Sequence, residues 1–118
     1  LEHRGAPNDP LGCHFDLLLE DGPSCRTWRL PQIPRLDGPA VEAIPINVHR
    51  LAWLDHHDAA VSGGRGWAKR IVGGLFSGSL PINCEDRLSV RLQSTDLKGH
   101  LEIEHRLCRI RSEPGSNP

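Results

Sequence analysis

Gly12-Cys13-His14-Phe15-Asp16-Leu17-Leu18-Leu19-Glu20 decides the fold class. Phe15, Leu17 and Leu19 alternate with His14, Asp16 and Leu18, the period of two that a half-buried strand requires. Glu20-Asp21-Gly22-Pro23 then supplies turn chemistry, and Cys25 to Leu30 returns as the second arm of a hairpin. On that arm Cys25, Thr27 and Arg29 share one face, and Arg26, Trp28 and Leu30 share the other.

The pattern continues outward. Pro31 to Pro39 reads as a proline-rich loop, because Pro31 and Pro34 lack the donors a central strand needs. Val41 to Ile44 and Ile46 to Leu54 read as short strands broken by Pro45. Asp55 to Gly66 reads as a surface loop ending in Ser62-Gly63-Gly64-Arg65-Gly66. Trp67 to Phe76 resumes strand character with a bend at Gly73-Gly74. Leu88 to Gln93 and His100 to Ile110 are expected as two further strands joined around Thr95 to Gly99. Ten prolines and twelve glycines at short intervals leave no long helical periodicity, and no internal repeat is present. The expectation is a mainly β chain with little helix, six or seven strands in one closed or nearly closed barrel over residues 1–111, and a flexible tail over 112–118. Phe15, Leu17 and Leu19 are expected inside, and His14 and Asp16 outside.

The 118 residues suit one domain. Fourteen Lys and Arg against fifteen Asp and Glu exclude the strong overall positive field of a nonspecific nucleic-acid binder. Any nucleic-acid contact must be local, and with twelve arginines and only Lys69 and Lys98 it would rest on guanidinium groups. Cys13, Cys25, Cys84 and Cys108 show no close pairing, and the N-terminal stretch has no signal-like apolar core, so reduced thiols and a soluble, cytoplasmic, monomeric protein are expected. No apolar run approaches the ~20 residues of a membrane span. Leu1 in place of Met is what processing or trimming upstream would leave.

His14 and Asp16, two apart on a strand, present imidazole and carboxylate on one face, half of a site for Mn²⁺, Zn²⁺ or Fe²⁺. His3 and His49 are the candidates for a third ligand. An ordinary surface ion pair is the alternative for the same two residues. His56-His57-Asp58 reads as a solvated loop, and His100 and His105, five apart, fall on opposite faces. The glycine run could turn amides toward a phosphate, but no Walker lysine and hydroxyl follow, and no nucleophile elbow is present. Trp28, Trp53 and Trp67 are core residues or stacking surfaces.

Taken together, Leu-Glu-His (1 to 3), His-Phe-Asp-Leu-Leu-Leu-Glu (14 to 20), Thr-Trp-Arg-Leu-Pro (27 to 31), His-Arg-Leu-Ala-Trp-Leu-Asp (49 to 55), Ser-Gly-Gly-Arg-Gly (62 to 66) and Leu-Lys-Gly-His-Leu (97 to 101) resemble the 3′-phosphoesterase domain family of bacterial ATP-dependent DNA ligase D, in a short free-standing form. The resemblance implies a compact β-barrel that binds a divalent metal, Mn²⁺ first, with Zn²⁺ or Co²⁺ as alternatives. It implies trimming of a terminal 3′-phosphate or ribonucleotide from primer-template ends in DNA repair, with repair proteins as possible partners. By position His3, His14 and Asp16 match the metal ligands, His49 the histidine on the phosphate, and Trp53 an active-site aromatic. Arg29, Arg50 and Arg65 are the candidate substrate-binding cations. The chain departs from the family pattern in three cations. Leu18 stands two after Asp16 in place of Arg, Gln32 stands in place of Lys, and Val41 lies near the place of a further Arg. Each missing donor removes charge stabilisation on the order of 10²-fold in rate. A non-catalytic end-binding or scaffold relative is therefore the alternative function. The gap from His3 to His14 is longer than the family pattern, with Gly5 to Pro10 reading as an insertion.

Overall fold

The computed structural model describes residues 1–7, 9, 12–55, 58–61, 64–94 and 97–112. His56-His57, Ser62-Gly63, Thr95-Asp96 and residues 113–118 of the expected tail lie outside the described residues. Backbone contacts gather the chain into two units, Leu1–Gln32 with Ile44–Ile71, and Ile33–Ala43 with Val72–Pro118.

The first unit is a six-stranded antiparallel sheet built from β1 (Glu2–Arg4), β2 (Cys13–Asp21), β3 (Ser24–Leu30), β5 (Ile44–Arg50), β6 (Asp58–Ala60) and β7 (Trp67–Lys69). Its strand order is β5-β3-β2-β1-β7-β6. The central hairpin turns at Gly22, whose φ of 62° suits the glycine-first position of a two-residue loop. Pro45 does not break the strand as its lack of a donor suggested. It sits inside β5 because β5 is an edge strand, where one side of the backbone owes no ladder bond. The expected continuation of that strand to Leu54 is instead a 3-10 helix, Leu51–Asp55. The expected loop after Asp55 contains β6, which pairs with β7 from Asp58↔Lys69 to Ala60↔Trp67.

On β2 the burial differs from the expectation. His14 and Asp16 are buried, while Phe15 and Leu17 are half-buried, and Leu19 alone of the three is fully buried, on the side that holds Trp28 and Leu30. The polar face is closed over because Trp53 of the 3-10 helix stands 6.0 Å from the His3 ring and Asp9 lies against His14.

The second unit is a five-stranded antiparallel sheet, β4 (Val41–Glu42), β8 (Leu75–Ser77), β9 (Leu88–Gln93), β10 (Lys98–Glu104) and β11 (Leu107–Arg111), in the order β4-β11-β10-β9-β8. Leu88, Val90, Leu101, Ile103, Cys108 and Ile110 form its buried face. Residues 100 to 110, expected as one strand, fold as the β10–β11 hairpin around His105-Arg106. Ser112 is tied down, its amide donating to Asp37 Oδ1 at 3.0 Å. The chain is mainly β, as expected, and the only helix among the described residues is the 3-10 turn. Neither sheet closes on itself into a barrel. β5 and β6 stand at the edges of the first sheet, β4 and β8 at those of the second. No helix of the described residues is long and apolar enough to cross a membrane.

Candidate metal centre

The ladder of the first sheet assembles the site. His3 and His14 are direct cross-strand partners on β1 and β2, so their rings lie side by side, stacked with centroids 4.9 Å apart. Asp16 follows His14 by two and keeps to the same face. Next to His3 on β7 is Ala68, a buried residue. On the other side Asp16 faces Arg29 of β3, and Arg29 Nε donates to Asp16 Oδ1 at 3.2 Å. His49 comes from β5, where the register shift between Cys25 and Thr27 sets it opposite Cys25 with Nε2 3.9 Å from Asp16 Oδ2. Its ring meets Trp53 edge-on at 5.8 Å.

The donor atoms converge. His3 Nε2 lies 3.2 Å from Asp16 Oδ2, and His14 Nε2 lies 3.8 Å from Asp16 Oδ1. One donor from each of the three residues falls within 4.8 Å of the others. His3 Nε2, His14 Nε2 and Asp16 Oδ2 are all buried and have no aligned hydrogen-bond partner. A buried polar atom left this way costs about 1–3 kcal/mol, and three pointing at one spot need a common explanation. The three residues could hold a metal ion, which would give these atoms a common partner. Ligands at ~2.0–2.3 Å from a first-row ion stand roughly 3–4 Å apart, so a contraction of about an ångström completes the sphere. Two imidazoles and one carboxylate on one side of an ion form the facial arrangement that leaves positions open for substrate.

Electrostatics agree with a charged Asp16. Burial alone would push its carboxyl up, yet His3 and Arg29 outweigh burial and hold it below the ordinary carboxylate value. His49 is also held below its ordinary value, in its case by burial, despite the pull of Asp16. Its Nδ1 lies 3.2 Å from the Asn47 carbonyl oxygen, which only accepts, so Nδ1 carries the proton and Nε2 presents a lone pair toward Asp16.

Of the residues singled out in the sequence, His3, His14, Asp16, Arg29, His49 and Trp53 are brought together. Arg50 is not, since its ladder partner is Ser24 and its Cβ lies on the face opposite His49. Arg65 is exposed in the turn between β6 and β7. Leu18 shares the Asp16 face, half-buried beside Thr27. Gln32 is exposed, and Val41 is a core residue of the second sheet. Of the tryptophans, Trp28 is core and Trp67 is exposed with its indole N–H donated to Asp58.

Sequence reading missed two residues. Asp9, in the apparent insertion, meets His14 Nδ1 at 2.8 Å. No periodicity marks a loop carboxylate five residues before a strand histidine. Gly66, read as part of a phosphate-seeking glycine run, is instead pressed against β1. A Cβ there would collide with the Arg4 carbonyl oxygen and come within 2.7 Å of the Gly5 carbonyl carbon. Comparison with models of known protein families and with curated proteins gave no match for this chain.

Proposed function

We propose that this protein is a metal-dependent phosphoesterase acting on nucleic-acid 3′ ends, removing a terminal 3′-phosphate or ribonucleotide. The observation that carries the reading is the convergence of three buried donors without an aligned hydrogen bond, His3 Nε2, His14 Nε2 and Asp16 Oδ2, with Arg29 and His49 on the same sheet face. The three donors would hold Mn²⁺, or Zn²⁺ or Co²⁺, which when bound polarises a phosphoryl group. Arg29 keeps Nε on Asp16 while its side chain remains 47% exposed, so the rest of the guanidinium is available to a phosphate oxygen. His49 Nε2, with its lone pair free, is the atom placed to take a proton from the attacking water and pass it to the leaving oxygen. Trp53 stands against the His3 and His49 rings at one side of the site. The DNA-repair setting that accompanies the family resemblance belongs to the same proposal.

Leu18 favours a second reading, a non-catalytic module that binds 3′ ends. It occupies the Asp16 face where a cation would reach the same phosphate, and offers no charge.

Phosphate release from a 3′-phosphorylated primer-template, with and without Mn²⁺, decides between them. The wild type is expected to release phosphate only with the cation. Arg29→Ala is expected to lose about 10²-fold in rate while still binding Mn²⁺. Calorimetry showing equal Mn²⁺ and Zn²⁺ binding by wild type and Asp16→Ala would remove the metal site altogether. Cation-dependent binding of the primer-template without release would establish the second reading.

A further inference from the structure

The segment joining β1 to β2 is clasped at its base, where the Gly5 amide donates to the Gly12 carbonyl at 3.0 Å. Both glycines take positive φ, 70° and 73°, which lets the two chains part and curl. Within the loop the Asp9 amide donates to Ala6 O and the Gly12 amide to Asp9 O, each at 3.1 Å. These two bonds hold Asp9 near the start of β2. Its side chain is 9% exposed, and its Oδ2 lies 2.8 Å from His14 Nδ1, on a ring that is itself 8% exposed.

A carboxylate offers only acceptors, so at this contact His14 Nδ1 must carry a proton. The neutral ring then has its lone pair on Nε2, the buried atom that has no hydrogen-bond partner and faces Asp16 at 3.8 Å. We infer that Asp9 is the positioning residue of the metal centre, holding His14 in the tautomer and orientation that aim the Nε2 lone pair at the point shared with His3 and Asp16. The inference rests on the metal reading above. A carboxylate behind a ligating imidazole also raises its donor strength, and losing such a partner lowers metal affinity by about 10- to 100-fold. The segment read as an insertion thereby acquires a role, since it carries Asp9.

The test uses the whole chain as wild type, Asp9→Ala and Asp9→Asn, with nitrogen NMR of the imidazoles in the metal-free protein and calorimetry with Mn²⁺ and Zn²⁺. In the wild type the neutral His14 ring is expected as the Nδ1–H tautomer. Asp9→Ala is expected to release it toward the Nε2–H form that a free neutral imidazole prefers, with a loss of about 10- to 100-fold in affinity for both cations. Asp9→Asn, which keeps an acceptor oxygen without the charge, is expected to keep the tautomer with a smaller loss, and it carries the comparison should Asp9→Ala fail to fold. Unchanged affinity in the folded variants overturns the positioning role while leaving the metal reading intact. If the wild type binds neither cation the metal reading fails, and the tautomer of the metal-free protein then decides the action of Asp9 on His14 by itself.

Discussion

At His105 and Arg106 the backbone takes φ of 53° and 59°, a left-handed pair that two-residue hairpin turns require and that costs a side-chain-bearing residue roughly 1–2 kcal/mol. Arg106 has compensation, because its guanidinium grips Glu85 at 2.7 and 3.2 Å and its carbonyl accepts the Ala43 amide at 2.8 Å. His105, with a side chain 88% exposed, has only a distant approach to Glu104, itself half-exposed. His105→Asn is therefore expected to stabilise the protein by about 0.5–1 kcal/mol, seen as a higher urea midpoint at unchanged slope. A lower midpoint would mean that the imidazole contributes more than its geometry indicates. The same pair explains why this hairpin was illegible in the sequence. A His-Arg turn lacks the Asn-Gly or Asp-Gly signal, so apolar alternation from Leu101 through Ile110 reads as one strand. His14 and Asp16 were legible because period-two placement needs no turn to be recognised.

The three-residue β1 lies between β2 and β7, and its position is what delivers His3 to the site. Gly66, at φ 87°, lets β7 begin against the Arg4 carbonyl. Gly66→Ala should push β1 aside, costing about 1–3 kcal/mol in stability and lowering Mn²⁺ affinity with it. Gly64→Ala is the control, since Gly64 has a similar φ of 69° but open space around its missing Cβ. Unfolding by urea and calorimetry on both variants check this. Equal behaviour of the two would show that conformational preference, not the close approach to β1, sets the requirement for glycine. At this scale the sequence was partly readable. The β2–β3 hairpin was, because Glu20 to Pro23 carries explicit turn chemistry. β6 was not, because Asp58-Ala59-Ala60 has neither alternation nor β-branched residues, and it is a strand only through its pairing with β7.

Across the whole molecule the four cysteines are free, Cys25 and Cys108 buried, Cys13 half-buried and Cys84 exposed. Under native conditions a thiol reagent should modify Cys84 rapidly and Cys25 and Cys108 only on unfolding, and reductant should leave the melting temperature unchanged. Burial pushes the Cys108 thiol up to about 12, so the folded state keeps a proton that the unfolded chain gives up near the ordinary thiol value of about 8.5. The stability this contributes is present below the ordinary value and is lost as pH climbs toward 12. A urea midpoint that holds steady across that window in wild type, or falls as steeply in Cys108→Ala, would contradict the assignment. Charge balance and strand content were legible from composition alone, whereas the division into two sheets was not, because it depends on which edges pair and not on how many strands exist. The Gly5–Gly12 clasp has one more consequence. The His3–His14 register lies inside the ladder, and the clasp separates it from whatever the loop contains. A change at position 9 can therefore remove the carboxylate behind His14 while the His3–His14 pairing stays in register.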